Sequence, residues 1–164
     1  MIRTIETARL VLRPLNRDDL DPWAAFLADA ETTRLLHFPQ QHSREESERL
    51  LERTIERQNG DVAMYAARLR EAGETIGFVG YSPRELDWGQ ELELGWLLLR
   101  HFHGRGYATE AARAVRQLVP DRVISLIRIE NEASLNVARK VGMTREREME
   151  FAGFQTSVFA SASR

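Results

Sequence analysis

With 164 residues, 43% of them hydrophobic and 29% charged, the chain has material for one domain with a core of its own and too little for two. A formal net charge of −2 and a pI near 6.1 exclude a surface built to neutralise a nucleic-acid backbone, and the lack of cysteine excludes a disulfide framework, a thiolate nucleophile and a Cys-type zinc site. No stretch of some 18 apolar residues offers a membrane span, and the opening MIRTIETARLVLRPL lacks the apolar core of a signal peptide, so the expectation is a soluble, cytoplasmic protein spanning 1–164 as one domain, with no nucleic-acid or membrane partner.

The first predicted element is a strand in ARLVLRP, where Leu10 and Leu12 alternate with Arg9, Val11 and Arg13 until Pro14 stops it. NRDDLDPWAAFLADAE reads as one helix capped by Asn16, with Leu20, Trp23, Ala24 and Leu27 at helical spacing. TTRLLHFPQQHS, broken by Pro39, reads as a loop or a broken helical turn, able to border a substrate cleft. From Ser43 a solvated amphipathic helix runs to a stop near Gly60, with Leu50, Leu51, Thr54 and Ile55 on one face and Glu45 four residues before Arg49.

DVAMYAARLR, ETIGFVGYSP and ELELGWLLLR then read as three successive antiparallel strands, the last two separated by the polar RELDWGQ. HFHGRGYATEAA places two glycines at the start of a helix carried by Ala108, Ala111, Val115 and Leu118 and ended by Pro120. RVISLIRIE has the character of a strand buried on both faces. NEASLNVARKVGM follows as a helix with Asn131 as cap and Gly142 as stop, its inner face Ser134, Val137, Ala138 and Val141. EMEFAGFQTSVFA is one strand or a tight pair, and the whole order predicts a mixed α/β sheet.

Gly104 and Gly106 admit backbone angles closed to other residues and let a ligand approach the main chain, so the amides of the turn and the helix start form a ready cradle for an anion, with Arg105 adding a cation. A plain tight turn would use the same glycines. Thr109 stands where a Rossmann fingerprint needs its third glycine, and neither a P-loop nor a Gly-x-Ser-x-Gly elbow is present. Asn131 and Ser134, 25 or more residues on, read alone as a helix cap and a small residue facing the sheet.

In this order, however, TARLVLRPL, IGFVGY, LELGWLL, GRGYATEAA and IENEASLNVARKVGM together resemble the GNAT superfamily of acyl-coenzyme A-dependent N-acetyltransferases, and specifically its RimJ/RimL-like branch. The resemblance covers most of the chain. It implies an α/β fold with a mixed, mostly antiparallel central sheet flanked by helices on both faces. It further implies that acetyl-CoA lies along the main chain of Leu97, Leu98 and Leu99, with its pyrophosphate on the amides from His103 through Gly104, Arg105, Gly106, Tyr107 and Ala108 to Thr109. Asn131, with Asn136 and Arg139 on the same helix, would contact the pantetheine arm. The chain departs from the family in having His101 three residues before the first glycine, where Gln or Arg is usual, and His103 where this branch commonly has Trp. The interval from Gly106 to Asn131 is short for the family, so the helix after the glycines is expected to lose a turn.

Acetyl transfer to an amine needs a neutral amine, a stabilised oxyanion and a proton for the departing thiolate. Glu93, in the strand leading to the glycine turn, is the candidate base; with Leu92, Leu94 and Trp96 on one face it shares the other with Gly95 and Leu97. Glu91 competes on that face, and a structural pairing of Glu93 with an arginine is the alternative. The family's usual oxyanion donor is a backbone N–H near Leu97 or Leu98. Relatives often use a tyrosine past the second motif as the acid; none follows Asn131 here, which leaves Ser134 or an ordered water, while Tyr107 reads as packing. His101 and His103 lack a third ligand, so no metal is expected. Trp23, Trp88 and Trp96 read as core or loop aromatics, Trp88 being placed to wall a substrate site.

The reading is thus an N-acetyltransferase working by direct attack in a ternary complex, its acceptor a protein N-terminus or a small amine. The alternative is a non-catalytic acyl-CoA-binding module that senses or regulates. An exposed edge in the last strands leaves a homodimer open, as in many relatives.

Overall fold

The computed structural model describes residues 2–38, 40–119 and 122–162; Pro39 and Pro120, used above as breakers, lie outside the described residues. Eight strands form one sheet in the order β1-β2-β3-β4-β5-β6-β8-β7. They are β1 Ile5–Glu6, β2 Leu10–Pro14, β3 Ala63–Leu69, β4 Thr75–Leu86, β5 Gly89–Leu98, β6 Ile124–Arg128, β7 Thr144–Phe151 and β8 Phe154–Ala160. Every pairing is antiparallel except β5 with β6. The expected mixed, mostly antiparallel α/β sheet is therefore the fold.

The alternation in the first predicted strand holds: Leu10 and Leu12 are fully buried in β2, and each such side chain contributes about 1.5–3 kcal/mol of burial. The two-residue β1 had no periodic signal to announce it. The predicted helix over 16–31 is instead three pieces, a 3-10 turn at Arg17–Asp19, α1 Leu20–Ala28 and the single turn α2 Ala30–Thr33. Asp29 breaks it with extended backbone (φ −83°, ψ 110°) and caps α2 by accepting from the Glu31 amide at 3.1 Å. Asp19, fully buried, closes a capping box with Asn16 and accepts two bonds from Arg13, at 2.6 and 2.9 Å.

Helix α3 spans Arg44–Arg57 behind a Ser43 and Glu46 capping box, with Leu51 buried and the Glu45 and Arg49 pair at 2.7 Å on its exposed face. β4 and β5 continue past their predicted ends: RELDWGQ is mostly strand, and only Asp87 and Trp88 form the turn between paired Leu86 and Gly89. Cross-strand pairs of Arg84 with Glu93 and Glu85 with Gln90 hold this outer half of the hairpin.

Helix α4 covers Tyr107–Arg116 and α5 covers Glu132–Val141, the latter stopped by Gly142 at φ 91°. Leu118, expected on the inner face, lies beyond α4 and is 45% exposed; Val119 is buried in its place. The final stretch is a pair, with β8 inserted between β6 and β7. Outer strand β7 carries exposed Arg145, Glu146, Arg147 and Glu148, charges of the kind that guard a sheet edge against pairing.

Helices cover both faces. One face, with Leu12, Tyr65, Val79 and Leu94, packs Ala111, Ala112 and Val115 of α4 and Leu135 and Ala138 of α5. The other, with Ala66 and Phe78, packs Trp23, Phe26 and Leu27 of α1 and Leu51 of α3. β6 is buried on both sides, as its apolar sequence requires.

Candidate active site

The parallel contact between β5 and β6 is a single register pair, Glu93 with Ile124. Ser125 donates its hydroxyl to the Leu94 carbonyl at 2.6 Å, and beyond that bond the strands diverge. The sheet is therefore split between the C-terminal halves of β5 and β6, and a cleft opens on each side of the split. One, about 440 Å³, lies between β5, α4 and α5; the other, about 380 Å³, lies over β4, β5 and β6. They share Leu35, Leu36, Trp96, Leu97, Asn131 and Ser134, so the two clefts meet at the start of α5.

Alternation along β5 decides which backbone groups face the split. The Leu99 amide bonds to Ile76 in β4, whereas the Leu94 carbonyl bonds to Ser125 near β6. Period two then turns Trp96 and Leu98 toward the split and Leu97 toward β4, where it is registered with Phe78. The expectation that Leu97 and Leu99 present main-chain groups is corrected accordingly: among the three residues named, that role falls to Leu98. Its carbonyl already accepts from the His103 ring Nε2 at 2.8 Å.

In the first cleft, Gly104 (φ 74°) and Gly106 (φ 80°) both occupy the left-handed region, and Gly106 is the residue before α4. The first intrahelical bond runs from the Glu110 amide to the Gly106 carbonyl, so the Tyr107, Ala108 and Thr109 amides precede any helical partner and are left to a ligand at the helix start. The His103 amide is spent on the Arg100 carbonyl at 3.1 Å, which removes it from the expected cradle. His103, Gly104, Gly106, Tyr107, Ala108 and Thr109 line the cleft; Arg105 does not, its guanidinium lying 5.9 Å from the Phe102 ring centre.

A network that the sequence did not announce staples this turn to the N-terminal strand. Glu110 accepts from the Thr7 hydroxyl, the Arg9 amide and the Arg9 guanidinium at 2.6–2.8 Å, and Arg9 also reaches the Arg105 carbonyl and covers the Tyr107 ring at 4.4 Å. Burial alone would raise the Glu110 carboxyl, but the bonds from Thr7 and Arg9 outweigh it and hold the group below its ordinary value.

Asn131 caps α5 by accepting from the Ser134 amide at 3.2 Å, so its side-chain NH2 is left for the clefts. Asn136 and Val137 line the first cleft, together with Lys140, the only lysine in the chain. Arg139 does not line it: its guanidinium is engaged by Asn136 at 2.7 Å and Glu132 at 3.1 Å. The Ser134 hydroxyl, where the clefts meet, makes no bond among the described residues. Tyr81, by contrast, donates to the Gly60 carbonyl, and burial raises its hydroxyl above the ordinary value, with Asp61 adding to the effect.

Glu93 lines the second cleft with Gly95 and Leu97, on the expected face. Arg84 donates from Nε to the Glu93 Oε2 at 2.7 Å and brings a second guanidinium nitrogen to the same oxygen at 2.6 Å, and no donor among the described residues reaches Oε1. The carboxylate is thus both an arginine partner and a wall of the cleft. Glu91 lines neither cleft; it is bound by Arg122 and by the Trp88 indole. That bond and the Arg147 guanidinium 4.3 Å over its ring hold Trp88 away from the cleft it was expected to wall.

The loop after α2 does border the cleft. Leu35, Leu36, His37 and Phe38 line it, and Arg128 fixes the loop through the Arg34 and Leu36 carbonyls at 3.0 and 3.3 Å. The His37 Nε2 meets the Thr156 hydroxyl oxygen at 2.9 Å, while that hydroxyl donates to the Phe154 carbonyl, which assigns the ring proton to Nε2. Burial, then the positive fields of Arg128 and Arg84, push His37 down to about 4, so it is neutral at neutral pH. His37, Arg84 and Arg128 were invisible as a group because they come from three separated segments. No group of three or more His, Cys, Asp or Glu residues placed to hold a metal, and no helix long and apolar enough to cross a membrane, occurs among the described residues.

A split sheet with a cleft on either side and an anion cradle at a helix start defines a protein that can bring two ligands together end to end. The sequence profile of the acetyltransferase (GNAT) domain matches residues 9–144, and the chain belongs to that family. The chain is 35% identical to the uncharacterized protein YkkB of Bacillus subtilis (strain 168) over 89 residues, which is 50% of this chain and spans only 51% of that protein. It is 26% identical to the uncharacterized N-acetyltransferase YnaD of the same organism over 149 residues, covering 87% of this chain and 83% of YnaD. Among solved structures, RimL, a ribosomal L7/L12 alpha-N-protein acetyltransferase in complex with coenzyme A, superposes with a TM-score of 0.83 at 21% identity over 98% of both chains.

Proposed function

We propose that this protein transfers the acetyl group of acetyl-CoA to a primary amine by direct attack in a ternary complex. The observation that carries the reading is the meeting of two clefts at Asn131 and Ser134, one lined by the anion cradle of α4 and the other by Glu93. The residues present fit the cofactor: free amides at 107–109 and the two left-handed glycines suit a diphosphate, Lys140 adds a cation, and the strand edge at Trp96 and Leu98, whose N–H groups turn away from β4, suits a pantetheine arm. Bound there, acetyl-CoA supplies the thioester carbonyl that the amine attacks.

The remaining work falls to the chain. The second cleft holds the amine, and Glu93 takes its proton through Oε1, directly or through a water, while Arg84 fixes the other oxygen. Backbone N–H groups of Trp96 and Leu98, turned to the split, face the side where negative charge develops on the carbonyl oxygen. The Ser134 hydroxyl, with no partner among the described residues, delivers a proton to the departing thiolate. Release of free thiol from acetyl-CoA against a panel of peptides, amino acids, polyamines and aminoglycosides tests the reading. Amine-dependent thiol release supports it, and cofactor binding without turnover on any amine would replace it with the acyl-CoA-binding module.

A further inference from the structure

The second cleft says which amines it can hold. Its wall is largely apolar: Phe38, Met64, Phe78, Leu126 and Phe151 stand around Glu93, and Phe38 is 61% exposed, an aromatic ring left in solvent at the cleft margin. The lining charges are already matched. Arg84 is paired with Glu93 at 2.6 Å, and Arg128 is paired with Glu130 at 3.1 Å, bound to the carbonyls of residues 34 and 36, and stacked 3.7 Å over the Phe154 ring. Among the described lining residues Glu93 is the only carboxylate, against two guanidiniums. A second ammonium entering this space finds no free counter-charge and loses its hydration, which is costly for an unpaired ion.

The reacting nitrogen itself does not need one, because it attacks as the neutral amine. Burial beside two guanidiniums favours that form, and the same surroundings keep His37 neutral. Gly95 adds room: a Cβ there would meet nothing within 4 Å, so its absence leaves space in the cleft that the protein does not fill.

From this we infer that the acceptor is a primary amine on an apolar body with no second cationic group, and that the wall running from Phe38 to Phe151 selects it. Polyamines and aminoglycosides are thereby excluded as preferred acceptors. The inference rests on the acetyltransferase reading above and deepens it.

The test pairs n-hexylamine with 1,6-diaminohexane, which differ by one ammonium, in the thiol-release assay and in calorimetric titration of the CoA-loaded protein. Hexylamine is expected to exceed the diamine at least tenfold in kcat/KM and in affinity. Equal or reversed preference, or binding of neither amine to the CoA-loaded protein, overturns the inference. Leucinamide against lysinamide, and leucine-initiated against lysine-initiated peptides, distinguish a free amine from a chain terminus, with the leucine member preferred in whichever pair is used. Phe38→Glu, an exposed change expected to leave the melting temperature unaltered, should narrow the hexylamine preference at least threefold; an unchanged ratio removes Phe38 from the selecting wall. Failure of acetyl-CoA or CoA to bind at all would instead overturn the acetyltransferase reading.

Discussion

The two clefts are built in different ways. The anion-binding end of the first is made of main chain, a glycine turn, a helix start and a strand edge within residues 96–109, and side chains of α5 and of residues 26–36 complete its wall. The second is made of side chains drawn from the loop at 35–38, from β3, β4, β5 and β6, and from Phe151 at the end of β7. Backbone amides are supplied by any sequence that adopts the turn, so the first cleft fixes one ligand through conformation. On the proposed reading the second fixes its ligand through residue identity, so that its acceptor can change without disturbing the cofactor.

Substitutions break this contrast in graded steps. Glu93→Gln should lower kcat/KM for the amine by about 10²–10⁴, the usual span for a general base, while the KM for acetyl-CoA stays put. Gly106→Val forces a β-branched residue to φ 80°, a strain of roughly 1–3 kcal/mol, and should raise the acetyl-CoA KM at least tenfold with the acceptor preference unaltered. Lys140→Ala removes a cation and not the cradle; its acetyl-CoA KM should rise about threefold to tenfold, less so in high salt.

The smallest effect is read from stability. His37 titrates at 6.5 when unfolded and at about 4 in the fold, so the unfolded chain binds the proton first. Its contribution is complete above 6.5 and is lost as pH falls from there to about 4. Melting temperatures of the protein and of His37→Gln, followed across that window, should diverge, with the parent losing more on acidification. Parallel curves would show that His37 is solvated and not held by Arg128 and Arg84.

The same contrast explains what the sequence made legible. Gly104, Gly106, Asn131 and Ser134 were readable because the turn and the helix cap are local devices with fixed spacing. Strand alternation put Glu93 on one face with Gly95 and Leu97, and the structure turns that face to the second cleft. Arg84 and Arg128 were not readable as cleft residues, because a strand arginine looks the same whether it meets solvent or another strand's carboxylate. The split helix at Asp29 was missed since the apolar stripe continues through it. Arg105 and Arg139 were named because the family resemblance implied them, but the Arg105 guanidinium lies near the Phe102 ring and that of Arg139 is engaged by Asn136 and Glu132. Lys140 carried no spacing signal.

The most direct test of the division between clefts is calorimetric titration of CoA into Glu93→Gln and Gly106→Val side by side. Parental affinity is expected for the first, despite its lost turnover, and at least tenfold weaker binding for the second. Weakened CoA binding in Glu93→Gln, or parental affinity in Gly106→Val, would contradict that division.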